Sequence, residues 1–179
     1  MTTLKKVAVT GPESTGKSFL CRELAAHYNT AYVPEYAREY IDSIGRDYIQ
    51  DDILEIAKGH LANEQKIAAD LLARPIRPLL FCDTEYLVAK IWSLHKFNTC
   101  HPWILRQIEK NTYDLYLLCD IDLPWEPDPQ REHPHLRQYF FDWYLKELQS
   151  YGFTFAVIRG QKQDRVNNAI EVVNNFYIA

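Results

Sequence analysis

Residues 11–18, with the sequence GPESTGKS, match the nucleotide-binding pattern GxxxxGK[S/T] at every fixed position. The glycines of this pattern let the backbone curl so that its N–H groups point at phosphate oxygens. Lys17 would reach the β- and γ-phosphates, and the hydroxyl of Ser18 would bind Mg²⁺. We therefore predict a phosphate loop with ATP as co-substrate and Mg²⁺ as its metal. The nucleotide-binding residues would be Gly11, Glu13, Ser14, Thr15, Gly16, Lys17 and Ser18.

A second acid is needed to hold the metal, and in this class of site it usually ends a neighbouring buried strand. Asp83 closes the apolar run LLFCD at residues 79–83, so we expect it to bind Mg²⁺ or to act as a base. Asp120 ends another candidate strand and is the fallback. The alternative role for Asp83 is to cap the helix that follows, and Thr84 competes with it for that role.

Acidic and aromatic residues follow the second and third predicted strands. Parallel sheets bind ligands at the carboxyl ends of their strands, so we expect here the pocket for the acceptor, the molecule that would receive a phosphoryl group. Glu35 and Arg38 are three residues apart and share a helix face; an ordinary surface salt bridge is the alternative. A carboxylate there could bind sugar hydroxyls or take the proton of the attacking one. The faces of tyrosine rings here could pack against a cationic ring of the acceptor. On this side we expect substrate contacts from Glu35, Tyr36, Arg38, Glu85 and Tyr86.

Residues 121–135 hold four of the nine prolines, which predicts a loop; we call it the lid loop. Arg131 could neutralise charge on the transferring phosphoryl group when such a loop closes. We expect Trp125 and Asp128 to contact the acceptor, although a solvated loop with an ordinary arginine is the alternative. Arg165, after the last predicted strand, is expected beside adenine. The expected catalytic residues are Lys17, Glu35, Asp83 and Arg131.

His60 and Glu64 are four residues apart in a predicted helix, a spacing that could serve a metal pair. Neither an HExxH pattern nor a third ligand accompanies them. We therefore interpret His60 as a packed or capped histidine.

The elements that must position these residues follow from hydropathy. Apolar runs alternate with segments of helical period, which predicts an α/β fold: a three-layer parallel sheet with helices on both faces. Predicted strands cover residues 4–10, 30–34, 79–83, 113–119 and 153–158. Predicted helices cover residues 17–27, 35–44, 51–73, 84–95, 102–110, 136–151 and 164–176. No linker divides the chain, so we predict one kinase-like domain over residues 1–179.

Composition excludes several classes of protein. The 179 residues are 47% hydrophobic and 25% charged, as in globular proteins. A net charge of −4 gives no drive toward nucleic acid or anionic membrane, and no run approaches the roughly 18 apolar residues of a membrane helix. Four cysteines without a CxxC pair indicate a reducing cytoplasmic location. We expect small-molecule partners, and the oligomeric state stays open.

Assembled in order, these segments resemble the ribosylnicotinamide kinase domain of the NadR family, a P-loop, AAA-like ATPase or kinase. The resemblance runs from Val7 to about Val173. It is carried by GPESTGKS at 11–18, EYARE at 35–39, GH at 59–60, DTE at 83–85, HP at 101–102, the Trp125…Asp128…Arg131 set and DR at 164–165. It implies the P-loop nucleoside triphosphate hydrolase fold of the nucleoside and nucleotide kinase type.

The same resemblance implies ATP-dependent phosphorylation of the ribose 5′-hydroxyl of nicotinamide riboside, which gives nicotinamide mononucleotide. NadR proteins carry a nucleotidyltransferase domain before the kinase. Here the phosphate loop begins at Gly11 and no HxGH-type motif occurs, so we expect the chain to stop at the mononucleotide. Two alternatives remain: a kinase for another nucleoside or small metabolite, and a nucleotide-binding switch or ATPase without a small-molecule acceptor.

Overall fold

Five parallel strands form the centre of the molecule in a computed structural model that describes residues 3–74 and 78–178. The strands are β1 (Lys5–Thr10), β2 (Ala31–Val33), β3 (Leu79–Asp83), β4 (Leu115–Cys119) and β5 (Phe155–Ile158). They lie in the order β2-β3-β1-β4-β5. All four pairings are parallel, which confirms the predicted sheet.

The helices of the described residues surround this sheet. They are α1 (Lys17–His27), α2 (Tyr36–Ile44), α3 (Gln50–Leu72), α4 (Tyr86–Phe97), α5 (Pro102–Glu109), α6 (Arg137–Ser150) and α7 (Lys162–Ile178). Within residues 3–74 and 78–178, none of them has the length and apolar character needed to cross a membrane.

Two hydrophobic cores lie on opposite faces of the sheet because successive strand side chains point to opposite sides. Val7 and Val9 of β1 pack with Leu20 and Leu24 of α1 and with residues of α7. Ala8, between them, belongs to the other core, with residues of α3 to α6. Helices therefore cover both faces, and the predicted three-layer architecture is confirmed.

The carboxyl ends of the strands meet at one edge. Val9 pairs with Asp83, and Thr10 pairs with Leu118 of β4. The phosphate loop that follows β1 therefore lies beside the end of β3. The start of α2, which follows β2, reaches the same edge because β2 pairs with β3.

The start of α4 differs from the sequence expectation. Asp83 ends β3, Thr84 has a positive φ of 71°, and the capping residue is Glu85. The Glu85 carboxylate accepts from the backbone N–H of Leu87. Neither Asp83 nor Thr84 caps the helix, because the turn at Thr84 separates Asp83 from it, and Asp83 is therefore left for another role.

The start of α3 lies one residue before the predicted bound at residue 51. The helix begins at Gln50, Ile49 is its N-terminal flanking residue, and Asp52 lies inside the first turn. The Asp52 carboxylate accepts from the backbone N–H of Ile49 at 2.7 Å and forms an ion pair with Arg46, also at 2.7 Å. The hydrogen bonds from Arg46 hold the pKa of Asp52 well below its usual range, although burial opposes the shift.

Candidate active site

A cavity of about 800 Å³ lies at the carboxyl edge of the sheet. Its wall is formed by the whole phosphate loop, the start of α2, residues along α3 and α4, part of α6 and the lid loop. A volume of this size is in the range of small-molecule sites.

The phosphate loop bends at two glycines with positive φ. Gly11 has φ +130°, and a Cβ there would come within 3.0 Å of the carbonyl oxygen of Cys119. Gly16 has φ +77° and precedes α1, which has no acidic residue in its first turn. The N-terminal N–H groups of α1 and their positive dipole end are therefore suited to an anion.

The Lys17 side chain lies across the phosphate loop. Its Nζ donates to the carbonyl oxygen of Pro12 at 2.8 Å, and Thr15 Oγ1 donates to the same oxygen at 2.8 Å. Lys17 also lines the cavity.

Asp83 lies next to Ser18 at the floor of this loop. The Asp83 side chain is 1% exposed, and burial together with the charge of Glu35 raises its pKa to about 6, against a hydrogen bond from Ser18 that lowers it. Its Oδ1 has no hydrogen-bond partner in the described part of the chain. A buried carboxylate oxygen without a donor, beside a hydroxyl, fits the oxygen ligands that Mg²⁺ requires.

Asp120 is not placed to serve as the fallback. Its Oδ2 accepts from Arg159 at 2.7 Å, and its Oδ1 accepts from the backbone N–H of Ile121 at 2.7 Å. Both carboxylate oxygens of Asp120 thus accept hydrogen bonds from residues in the loops that follow β4 and β5. Asp83 is the acid whose surroundings match the metal role.

The acceptor side of the cavity, opposite the phosphate loop, begins with Glu35 and Arg38. Both line the cavity, and the charges of both influence the pKa of Asp83. The ion pair recorded for Arg38 is with Asp128 of the lid loop at 3.0 Å, not with Glu35. The alternative of a Glu35–Arg38 surface salt bridge is therefore not what the structure shows.

The lid loop is attached to the phosphate loop. Glu13 accepts from the backbone N–H groups of Glu132 and His133, both at 3.2 Å. Ser14 Oγ accepts from the backbone N–H of Glu126 at 2.9 Å. These contacts use phosphate-loop side chains that the sequence assigned to the nucleotide, and they hold the lid loop over the cavity.

Two arginines complete the attachment. Arg131 lines the cavity, where its Nη1 donates to the carbonyl oxygen of Glu126. Arg137, at the start of α6, donates to the carbonyl oxygens of Leu123 at 2.8 Å and Ser14 at 3.1 Å. Arg131 thus lies on the cavity wall, next to the phosphate loop.

Glu85 and Tyr86 both line the cavity, but Glu85 is already engaged. Its Oε1 accepts from Thr10 Oγ1 at 2.9 Å, and its Oε2 accepts from the N–H of Leu87 at 2.5 Å. Burial raises the pKa of Glu85 to about 7 against these hydrogen bonds. Its main contribution is to fix the junction between β1 and α4.

Several predicted substrate residues lie outside the cavity wall. The Tyr36 ring packs on Gly59 of α3, where any Cβ would collide with it. The missing side chain at Gly59 leaves room for the Tyr36 ring, so α2 can pack closely against α3 at this point. Asp128 acts through its ion pair with Arg38, and Trp125 is half-buried away from the wall.

Arg165 does not contact the cavity, which differs from the expectation that it lies beside adenine. Its side chain is 1% exposed. The guanidinium donates to the carbonyl oxygens of Gly160 at 2.8 Å and Asp120 at 3.2 Å, and it pairs with the Asp122 carboxylate. These contacts join the loops after β4 and β5, so the side chain has no free face for a base.

Other aromatic residues line the cavity without having been predicted. Tyr48 and Trp92 have ring centroids 4.8 Å apart, and Trp92 Nε1 donates to the Tyr48 hydroxyl at 2.8 Å. Phe140 and Tyr144 of α6 are also on the wall. The spacing Tyr86, Ala89, Trp92 along one helix face was the available signal for Trp92. Tyr48 lies between two helices, where no periodicity marks it.

Known proteins resemble this chain over most of its length. A family model described as an AAA domain, AAA_28, matches residues 6–165. The trifunctional NAD biosynthesis/regulator protein NadR of Escherichia coli K12 is 32% identical over 132 residues, which is 72% of this chain and 31% of that protein. The chain thus spans about a third of the length of that relative.

Solved structures show the same fold. A NadR protein in complex with NR aligns with a TM-score of 0.80 at 22% identity, over 98% of this chain and 52% of that one. A NadR protein in complex with NAD and AMP-PNP aligns with a TM-score of 0.75 at 23% identity, over 97% and 49% of the two chains.

Proposed function

Because this chain belongs to the AAA_28 family of AAA domains, we propose that it is an ATP-dependent kinase that phosphorylates the ribose 5′-hydroxyl of nicotinamide riboside. The observation that carries this proposal is that the phosphate loop and Glu35 line one cavity under the lid loop, with the buried carboxyl of Asp83 beside Ser18 and within reach of the Glu35 charge. A kinase needs its donor and its acceptor side by side in a space that excludes water.

The relatives support the choice of acceptor and donor. The E. coli relative is an NAD biosynthesis protein, and the solved NadR proteins hold NR in one structure and NAD with the ATP analogue AMP-PNP in the other. Carried to this chain, these ligands support our proposal of an ATP γ-phosphate at the phosphate loop and a nicotinamide riboside between α2, α3 and α4.

On the donor side, the inward N–H groups of residues 11–18 would hold the β- and γ-phosphates, and Lys17 would orient them. Mg²⁺ bound with ATP neutralises phosphate charge, and the Ser18 hydroxyl and the Asp83 carboxylate are the residues that would hold it. Asp83 must then be ionised, so its raised pKa makes nucleotide binding depend on pH near 6.

On the acceptor side, Glu35 would act as the general base. The ribose 5′-oxygen forms a bond to the γ-phosphorus as the bond to the bridging oxygen of ADP breaks, and the hydroxyl proton passes to the Glu35 carboxylate. Glu35 suits this step because Asp83 is hydrogen-bonded to Ser18 and would hold the metal when it is bound. Arg131 would neutralise charge on the transferring group.

The reactants are then small molecules, and we propose a reducing cytoplasmic location for the reaction. The four cysteines are free, and Cys21, Cys82 and Cys119 are buried. The net charge of −4 does not favour nucleic acid or an anionic membrane as partner.

A panel of acceptors tests the proposal. The purified chain with MgATP is offered nicotinamide riboside, other nucleosides and simple sugars, and ADP release and phosphorylated product are measured by coupled assay and mass spectrometry. We expect the largest kcat/KM for nicotinamide riboside. Preference for another nucleoside would support the first alternative, and slow ADP release that no acceptor accelerates would support a nucleotide switch.

A further inference from the structure

The buried wall of the cavity carries a histidine whose polar atoms are unpaired. His60 of α3 lines the cavity, and 4% of its surface is exposed to solvent. Neither Nδ1 nor Nε2 has a hydrogen-bond partner within residues 3–74 and 78–178, and the hydroxyl of Tyr86 is equally unpaired. The two rings meet edge to face with centroids 6.4 Å apart.

Such an arrangement is costly unless something supplies hydrogen bonds. A buried polar group without a partner destabilises the fold by its full desolvation penalty, and native proteins rarely leave three such atoms together. These atoms lie on the wall of a ligand cavity, so the missing partner fits a polar group of the ligand. A packed or capped histidine, as the sequence was interpreted, would leave both ring nitrogens of His60 without a partner among the described residues.

The charge state of His60 limits what that polar group can be. Burial lowers the pKa of His60, although the charge of Glu64 opposes this shift, so the ring is neutral at pH 7. A neutral imidazole offers one donor and one acceptor. A primary amide presents the complementary pair, an N–H donor and a carbonyl acceptor.

The neighbouring charges disfavour an anion at this position. Glu64 pairs with Lys6 at 2.9 Å and accepts from the Tyr113 hydroxyl at 2.6 Å, beneath His60 and Tyr86. Glu85 adds a second buried carboxyl next to Tyr86. The cation beside this region, Lys6, is already paired with Glu64. A ligand carboxylate next to His60 and Tyr86 would therefore lie near the carboxyl groups of Glu64 and Glu85, with no unpaired cation beside it among the described residues.

We propose that His60 and the Tyr86 hydroxyl form an amide subsite, which binds the neutral carboxamide on the pyridinium ring of the acceptor and rejects analogues that lack it. This inference rests on the proposed function and adds its specificity-determining residue. His60 contributes through binding of the base, far along the ligand from the hydroxyl that reacts.

The test compares acceptors on the same protein. Wild type and His60→Leu are assayed with three ribosides: that of nicotinamide, that of unsubstituted pyridine and that of nicotinic acid. We expect His60→Leu to lower kcat/KM for the nicotinamide riboside by roughly 10- to 100-fold, mainly through KM, and to change the pyridine riboside less than about 3-fold. The ratio between two acceptors does not depend on the fraction of folded protein.

Further variants separate binding from packing. His60→Asn keeps a donor and an acceptor and should restore part of the preference, and Tyr86→Phe should lower it by a smaller factor. His27→Leu, on the exposed end of α1, is the matched control and should leave the ratio unchanged. Wild type should use the nicotinic acid riboside poorly.

The outcomes distinguish failure of the amide subsite from failure of the kinase proposal. Equal losses for the nicotinamide and pyridine ribosides in His60→Leu would overturn the amide subsite and leave the kinase proposal standing. Equal use of nicotinamide and nicotinic acid ribosides by wild type would also overturn it. If wild type phosphorylates none of the three ribosides, both proposals are overturned.

Discussion

The two sides of the cavity are built in different ways. The donor side consists of residues 11–18 on the cavity wall, with the buried Asp83 beside Ser18, and the groups it offers to a ligand are mainly backbone N–H groups between one strand and one helix. The acceptor side takes single side chains from α2, α3, α4, α6 and the lid loop. A backbone cradle recognises phosphate whatever the acceptor is, whereas scattered side chains recognise one ligand shape. Substrate choice therefore belongs to the acceptor side.

Lys17→Ala should cause the largest loss of activity and should affect every acceptor by the same factor. Removing the ammonium leaves developing phosphate charge uncompensated, so kcat/KM should fall roughly 10³-fold. Steady-state kinetics with two ribosides checks this, with Lys58→Ala on the exposed face of α3 as the control. Near-normal turnover, or a loss confined to one riboside, would contradict the donor role.

Asp83→Asn should lower kcat/KM roughly 100-fold, because one oxygen ligand for the metal loses its charge. In wild type, kcat/KM should rise with pH through about 6, where Asp83 ionises. Higher Mg²⁺ should move that midpoint to lower pH, since metal competes with the proton. A midpoint that does not respond to Mg²⁺ would separate Asp83 from the metal.

The same substitution should stabilise the free protein at pH 8. The pKa of Asp83 is about 6 in the fold and about 4 in an unfolded chain. The contribution of the protonated Asp83 side chain to the free energy of unfolding is therefore fully present below pH 4 and is lost as pH rises through 6. Asparagine removes a penalty of up to about 3 kcal/mol at pH 8 and almost none at pH 4. Thermal unfolding at both pH values measures the difference; a destabilised variant at pH 8 would refute it.

Arg131→Ala should have an intermediate effect that falls mainly on kcat, by roughly 10- to 100-fold, because the guanidinium acts on charge that develops during transfer. The KM for the riboside should change little. Arg106→Ala, on the exposed face of α5, provides a matched control. A change confined to riboside KM would move Arg131 from the transferring phosphoryl group to the acceptor.

Asp128→Asn should have the smallest effect. Its partner Arg38 has 47% of its side chain exposed, and such surface ion pairs contribute less than about 1 kcal/mol. Weaker attachment of the lid loop to α2 should therefore raise riboside KM about 2- to 5-fold with kcat unchanged. Glu55→Gln, which breaks the exposed pair with Lys58, should change neither constant.

The elements that carry the donor side could be predicted from the sequence. The bounds 17–27 of α1 and 79–83 of β3 agree with the structure, and Asp83 lies beside Ser18. This success has a local cause. The phosphate loop is one contiguous segment with fixed spacing, and a strand buried on both faces reads as an unbroken apolar run.

The acceptor side could be predicted only in part because long-range packing decides it. Glu35 and Arg38 line the cavity. The Tyr36 ring packs on Gly59 instead, and Arg165 is hydrogen-bonded to the loops after β4 and β5. Tyr48 and His60 join the wall because α2, α3 and α4 pack together. No spacing within a single helix states which of its faces will meet a cavity.

The central claim is tested most directly by following the γ-phosphoryl group itself. The chain is incubated with MgATP and nicotinamide riboside, and ³¹P NMR records the phosphorus signals over time. We predict that a 5′-phosphate monoester of the riboside grows in equal amount to ADP, and that Lys17→Ala abolishes both signals. ADP accompanied by inorganic phosphate, with no riboside monoester, would contradict the claim.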